Sequence, residues 1–582
     1  MSAPISPLGP MAGVIPGARS SRGRSRATDA DWLNRVLVVI VGAIVLIPTG
    51  TLVVGAFSSQ PPRAPGQSFT LMNVGRAFTT PEYLAALGNS VLIGALTGVF
   101  SVVIGTAIAF AVGRMRLRFS RFWENIVILP VYVAPLTMAL SAEALFAPRV
   151  GFINVLLPNT SFFDIFGLPG IVWVLTVTFS GIVFLYMIGP VRNLNAELEE
   201  AGAVLGGSRW NILRRVSIPL LAPSILSTFI VVFLLGAEDF SVPGLLGQGA
   251  GFHTLPTEIY YLVTYQPSSP NLAAALGLTL LLIAVIGIAI YRRLSRNALR
   301  YVTIAGKYRA SRTFEPRRFR WLPEVLIALW LVVAILLPVG GLVFGSFLKF
   351  VTPHITASSF TLANYQRIFS GTGPQPLLNT LILALLAATI VAFLGALISY
   401  GLRYGRTRSR GVLDYLSILT LGIPGAALAV GILWAYVGLP AGIWGSIWVL
   451  LIAYVTRAIV HGVRATTNSL RQTSPQLDEA ARLLGAGLAR RMRTIQFPLM
   501  SAGMRSAWVL VFIYAVNEVT ASVLLATQNS ETVAVKIFNA VQMSGPIQAF
   551  AYAVIQGLIV GLALLLFNRI LGAGDRRRGR LG

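Results

Sequence analysis

One polar segment occurs twice in this chain at a fixed interval, and that repeat narrows the folds open to it. Glu200-Ala201-Gly202, Gly206 and Val216-Ser217-Ile218-Pro219 recur as Glu479-Ala480-Ala481, Gly485 and Ile495-Gln496-Phe497-Pro498. Glu, Gly and Pro keep the same internal spacing, and the copies stand 279 positions apart. Both are arginine-rich islands between long apolar runs. The fold must therefore hold two equivalent halves, each with a charged loop at the same place between hydrophobic segments.

The apolar runs say what those halves are made of. The 582 residues are 55% hydrophobic and only 11% charged, against about 25% charged in a soluble protein. Runs of 18 or more apolar residues suffice to cross a hydrocarbon core as helices. They place spans near 35–57, 86–113, 124–147, 168–190, 220–242 and 271–291, then 322–347, 377–400, 411–434, 439–462, 499–526 and 548–568. A membrane β-barrel would show short alternating segments instead. The expectation is an all-α polytopic membrane protein of about 12 transmembrane helices in two six-helix repeats. Prolines inside spans (Pro130, Pro135, Pro424) are tolerable in packed membrane helices. Residues 1–30 are rich in Pro, Gly, Ser and Arg and read as a disordered tail. Two transmembrane domains follow at 31–291 and 322–570, joined by a polar linker at 292–321 and ending in a basic tail at 571–582.

Charge orients the spans. The net charge of +26 suits the positive-inside rule, and no nucleic-acid partner is needed to explain it. With the N-terminus inside, most of the 46 lysines and arginines fall in inside segments, including Arg114 to Arg121, Arg192 to Arg215, Arg403 to Arg410 and Arg457 to Arg493. Arg63, Arg76, Arg149, Lys349, Arg367 and Lys536 fall outside. Both repeated motifs, and both termini, then lie in the cytoplasm. Six spans return the chain to the side it started from, so the halves are parallel repeats about a pseudo-twofold along the membrane normal. Asn89-Ser90 and Asn379-Thr380 echo one another at the second span of each half, as do Pro135 and Pro424 at the third. There is no cysteine, and the three histidines lie far apart, so no metal centre is expected.

The repeated islands resemble the EAA loop of permease subunits from binding-protein-dependent ABC importers: Glu-Ala-Ala, three residues, Gly, nine residues, Ile-x-Leu-Pro. The first copy departs from that pattern at Gly202, Val216 and Ile218, and the second at Phe497. The resemblance spans both halves, from about residue 35 to 570. It implies that Glu200, Ala201, Gly206, Pro219 and Glu479, Ala480, Gly485, Pro498 belong to two coupling helices that dock into two copies of a cytoplasmic ATPase subunit. It further implies a periplasmic or lipid-anchored binding protein that delivers solute to a bacterial inner-membrane complex in contact with lipid. The physical chemistry agrees: acidic charge suits a helix N-terminus, glycine a tight turn, and proline the first turn of the next helix. Of the family's branches, the fused iron(III) importers are most similar, with relatives for 2-aminoethylphosphonate and thiamine.

The chain itself is not expected to hydrolyse ATP. A phosphate-binding loop needs Gly-Lys-Ser/Thr, and Lys307, Lys349 and Lys536 are followed by Tyr308, Phe350 and Ile537. No cofactor is expected here; ATP and magnesium belong to the partner subunits. A secondary transporter would have no use for paired EAA loops, and a membrane enzyme would need a cluster of catalytic acids, histidines or metal ligands.

Candidates on the solute path come from the repeat. Asp239 and Glu518 each follow the motif proline by 20 residues, about 30 Å along a helix, which puts both near the outer face. They either face one another as an acidic gate or cap their own chain locally. Glu238 and Asn517 are weaker candidates. Tyr260, Tyr261 and Tyr265 read as an interfacial belt, and His253 as an exposed polar residue.

Overall fold

The computed structural model describes residues 29–578 except 149, 157–163, 195, 302–320, 351–355, 406, 439–444, 473 and 475. Most of the expected N-terminal tail and linker therefore lies outside the described residues. Twenty of the described helical segments fall into two matching series of ten. The first comprises α1 (Asp29–Ala56), α2 (Pro81–Arg114), α3 (Ser120–Ile126), α4 (Pro135–Phe146), α5 (Leu168–Arg192), α6 (Ala196–Val204), α7 (Ile218–Glu238), α8 (Ser241–Leu246), α9 (Leu255–Thr264) and α10 (Pro270–Tyr301). The second comprises α11 (Leu322–Ser346), α12 (Gln375–Tyr404), α13 (Arg408–Leu419), α14 (Gly425–Tyr436), α15 (Ile447–Arg471), α16 (Gln476–Leu483), α17 (Phe497–Val516), α18 (Thr520–Leu525), α19 (Val533–Ser544) and α20 (Pro546–Arg578). Among the described residues, ten helices are long and apolar enough to cross a membrane, and two bent pairs bring the number to as many as twelve.

Four expectations need correction. The third span of each half is broken: the chain turns by 92° between Tyr132 and Pro135 and by 111° between Gly422 and Gly425. The residue before Pro135 is extended (Ala134, ψ 139°), as is Ile423 before Pro424 (ψ 110°), because a proline ring excludes the helical conformation from its predecessor. Pro219 and Pro498 stand second in α7 and α17, in the first turn as expected, but neither helix starts afresh there. A π turn precedes each one, Leu213–Ser217 and Met492–Gln496, and the widened turn accommodates the missing N–H donor. The tenth span is α15 at Ile447–Arg471, not 439–462, so Arg457 lies near the middle of a membrane helix and not near its inner end. Helix α1 begins at Asp29, within the expected tail, while α10 and α20 run on to Tyr301 and Arg578, into the expected linker and tail.

The halves are interlocked. Helix α1 packs on α12, α13 and α14 of the second half, while α11 packs on α4 of the first. Within each half the tightest contacts join α2 to α5 and α7, and α12 to α15 and α17. Small residues permit them: a Cβ on Gly395 would stand 2.6 Å from the Gly462 carbonyl carbon, and one on Gly105 2.5 Å from Val183 Cβ. Without a hydrophobic drive between helices in lipid, such close approach supplies the packing energy.

Candidate functional site

The repeated motifs form the short helices α6 and α16 at the same end of the molecule. Each ends in a Schellman turn. Gly206 (φ 78°) and Gly485 (φ 79°) adopt the left-handed conformation, and Gly207 N–H and Ala486 N–H reach back to the Gly202 and Ala481 carbonyls at 3.0 Å. Nothing crowds a Cβ at Gly206 or Gly485, so the backbone angle is what calls for glycine. Glu200, Ala201, Glu479 and Ala480 are exposed. Beside them stand four apolar side chains that sequence reasoning missed: Val204 (88% exposed), Leu205 (87%), Leu483 (89%) and Leu484 (88%). The same two positions of each repeat thus present unpartnered apolar surface.

The residue just before each motif glutamate fastens the loop to the spans. Glu199 pairs with Arg114 at the end of α2 and accepts from Ser217 Oγ at 2.7 Å. Asp478 accepts from Arg491 at 2.8 Å, from Gln496 at 3.1 Å and from Tyr400 at 3.3 Å. Arg491 is buried, and its other nitrogen reaches Asp29 of α1 at 2.6 Å. Glu199 and Asp478 are repeat equivalents, as are Ser217 and Gln496, so the signal was present in the spacing.

Of the two readings open to Asp239 and Glu518, each carboxylate takes the second and caps its own chain. Asp239 binds its own chain, accepting from Val242 N–H at 2.9 Å and Ser241 Oγ at 3.2 Å, which caps α8. Glu518 caps α18 in the same way, through Ala521 N–H at 3.1 Å and Ser522 Oγ at 3.0 Å. Neither stands at a solvent-facing helix end: α8 is buried throughout, and Glu518 is 5% exposed. The charge that organises this region is Arg457, which the sequence set at the inner end of its span among the inside charges. Its guanidinium pairs with Glu238 of the first half at 2.9 Å and with Glu518 of the second at 3.4 Å. Asn517 donates to the Tyr132 carbonyl at the break in the third span, 3.2 Å away. Between the halves, next to Glu238, lies a narrow cavity of about 60 Å³ bounded by Tyr186, Leu234, Tyr291, Pro424 and Arg464.

The tyrosines divide. Tyr265 is exposed, whereas Tyr260 is buried against Phe240 and Phe538, so the belt assignment fails for Tyr260. Burial, with a smaller contribution from Tyr265, pushes the phenols of Tyr260 and Tyr261 up to about 12, so both stay protonated and are poor anionic ligands. His253 Nδ1 sits 3.3 Å from Glu258, whose carboxyl is raised by burial against the opposing pull of His253. No group of three metal-ligating side chains occurs among the described residues.

Two interlocked helical repeats, with an ion bridge and a small cavity between them and paired loops on matching helices, are the frame of a membrane transport protein. The chain belongs to the family of binding-protein-dependent transport system inner membrane components, which matches it twice, at residues 101–300 and 392–580. It is thus an ABC importer permease of the inner membrane, in the fused two-half form. It is 26% identical to a ferric transport system permease protein of Actinobacillus pleuropneumoniae over 92% of this chain and 77% of that one. It is 27% identical to a putative ferric transport system permease protein of Haemophilus influenzae over 85% of this chain and 77% of the relative. A spermidine/putrescine transport system permease protein of Escherichia coli is 26% identical over 42% of this chain but 88% of its own length, so a relative of about half this size aligns along nearly all of itself.

Proposed function

We propose that this permease passes iron(III) into the cytoplasm, driven by ATP hydrolysis in separate subunits. Both termini and both motif loops face the cytoplasm. Two copies of an ATPase subunit grip α6 and α16, and a binding protein presents the solute at the opposite face. The four exposed apolar side chains Val204, Leu205, Leu483 and Leu484 carry this reading. Apolar surface held at matching places on two short helices needs a partner to cover it, and two copies of one subunit supply two equal clefts. The anchors at Glu199 and Asp478 connect those helices to α2, α12 and the start of the fifth span of each half, a route by which closure of the ATPases can reach the path. Iron(III) is favoured because the ferric permeases resemble this chain over most of its length.

The test is reconstitution with the cognate ATPase in proteoliposomes, supplied with binding proteins loaded with iron(III), an aminophosphonate or thiamine. Stimulated ATP hydrolysis and uptake with the iron-loaded protein is the expected result. Stimulation by another loaded protein alone would reassign the solute, and failure of the chain to bind any ATPase would overturn the coupling role.

A further inference from the structure

Tyr260 and Phe538 occupy equivalent places in α9 and α19, and they touch: their ring centroids are 5.6 Å apart and nearly perpendicular. Phe240 packs on both, at 5.2 and 5.1 Å. Equivalent residues that meet must do so at the twofold axis, so these rings close the route between the halves. The helices that carry them are held by matching clamps. Asn89 donates to the His253 carbonyl and Ser90 accepts from Leu255 N–H at the start of α9. Asn379 donates to the Asn529 and Glu531 carbonyls and Thr380 accepts from Val533 N–H at the start of α19. This gives the echoed Asn-Ser and Asn-Thr pairs of the sequence a role.

Two residues before Phe240 stands Glu238, bound to Arg457. Arg457 lies ten residues inside α15, about 15 Å from its far end. Its counterpart in the first half is Thr178. The space it fills is also particular to one half: a Cβ on Gly425 would stand 2.4 Å from Arg457 Nη1, and the residue after Pro135, matching Gly425, is Leu136. Arginine and the glycine that admits it thus occur together in the second half alone.

We propose that Arg457 is the gating residue of this permease. Its guanidinium ties Glu238 of one half to Glu518 of the other beside the aromatic seal, and it releases Glu238 when the halves part. This rests on the permease function proposed above. Glu518 is the partner that Arg457 keeps. Both belong to the second half, α15 and α17 pack closely, and Glu518 is fixed by Ala521 and Ser522. Glu238 belongs to the other half. An intramembrane charge is retained where it is paired and used. Parting leaves Glu238 beside Asp239 without the guanidinium, so the open passage gains negative charge, which suits a cationic solute.

The test uses the reconstituted complex. Glu238→Gln leaves the Arg457–Glu518 pair intact and should raise ATP hydrolysis in the absence of binding protein roughly five- to tenfold, the size of a coupling between a gate and a distant site. Arg457→Lys, whose compact ammonium lacks the planar fork, should raise it less. Adding Glu238→Gln to Arg457→Lys should give no more than Glu238→Gln alone, because the two changes break one contact. The chain has no cysteine of its own, so spin labels at Gln248→Cys and Met543→Cys, both exposed positions in opposite halves, report the gate directly. Their separation should widen on trapping with ATP and vanadate, and a wide population should appear in Glu238→Gln without nucleotide. Unchanged hydrolysis and an unchanged distance in both Glu238→Gln and Arg457→Lys would overturn the gate while leaving the permease function standing. A wild-type complex that shows no ATP-driven uptake with any binding protein would overturn both.

Discussion

Replacing Arg491 with Gln should loosen one coupling helix and spare the other. Arg491 is 1% exposed and holds Asp478 at 2.8 Å, Asp29 at 2.6 Å and the Tyr400 hydroxyl at 3.2 Å. The Asp29 contact contributes little, since that carboxylate is 55% exposed and solvent screens it. Asp478 decides the magnitude. Its side chain is 5% exposed, and removing one member of a buried pair costs about 3–5 kcal/mol. Gln496 and Tyr400 still donate to it, which places the loss near the lower end, at about 3 kcal/mol. The loss is local, because Arg491 ties α16 to α1, α12 and the π turn. At about 1.4 kcal/mol per decade, amide exchange in α16 and residues 488–496 should quicken by roughly two orders of magnitude, provided those amides exchange by local opening. Helix α6, anchored by Arg114, should keep its protection. Hydrogen exchange by mass spectrometry on the chain in nanodiscs reads both loops in one experiment. Arg491→Lys, which restores the charge without the fork, should fall between. Unchanged exchange in α16, or an equal rise in α6, would refute the assignment of Arg491 as the tether of the second loop.

Exchanging both Glu200 and Glu479 for Arg should leave the spans folded, since both are exposed, but should reduce co-purification of the ATPase and ATP-driven uptake; wild-type uptake by the double variant would remove these residues from the docking surface. The purified chain alone should show no ATP hydrolysis above background, and turnover by a preparation shown free of other subunits would contradict the division of labour. Asp239→Asn and Glu518→Gln should combine additively in uptake, within about 0.5 kcal/mol, because each carboxylate caps its own helix; a loss well beyond the sum would restore the face-to-face acidic pair.

The repeat made most of the fold legible, and it held more than was taken from it. Helices α5 and α15, both 25 residues long, are related by the same 279-position shift as the motifs. Applied to the tenth span, that shift puts it at Ile447–Arg471. Hydropathy moved it toward the N-terminus because Arg464 and the polar residues after it look like a loop. A buried arginine is acceptable in a membrane helix when carboxylates meet it, and here one of them is Glu238, 219 positions away. Local sequence carries no trace of such a partner. The breaks at Pro135 and Pro424 were hidden for the opposite reason: the apolar run continues through each bend, so composition reports one span where the backbone turns by 92° or 111°. Tyr260 looked like part of an interfacial belt because it clusters with Tyr261 and Tyr265 before the sixth span, and a Tyr–Phe pair at equivalent positions is not visible as a motif. Glu199 and Asp478 were overlooked beside the motif glutamates, although buried anchors and exposed docking residues naturally alternate on a short helix lying against the protein.

Fusion of the two halves explains why the path can be closed by one arginine. In a symmetric pair of identical subunits, every residue near the axis occurs twice. An arginine at the Arg457 position would then face a copy of itself, and the carboxylates around it would be doubled as well. Two guanidiniums brought together in a site of low polarity repel, and each must be compensated separately. A single chain escapes this constraint. It carries Arg457 and Gly425 in one half and Thr178 and Leu136 in the other, and the repeat position of Glu238 is Asn517, that of Asp239 Glu518. The aromatic seal keeps the symmetry, Tyr260 against Phe538, because ring packing at an axis tolerates a twofold. The ion bridge beside it departs from symmetry because one cation spanning two halves has no symmetric form. The coupling helices, which must fit two copies of one partner, keep the same glycine turn, the same exposed apolar pair and an acidic anchor at the same position.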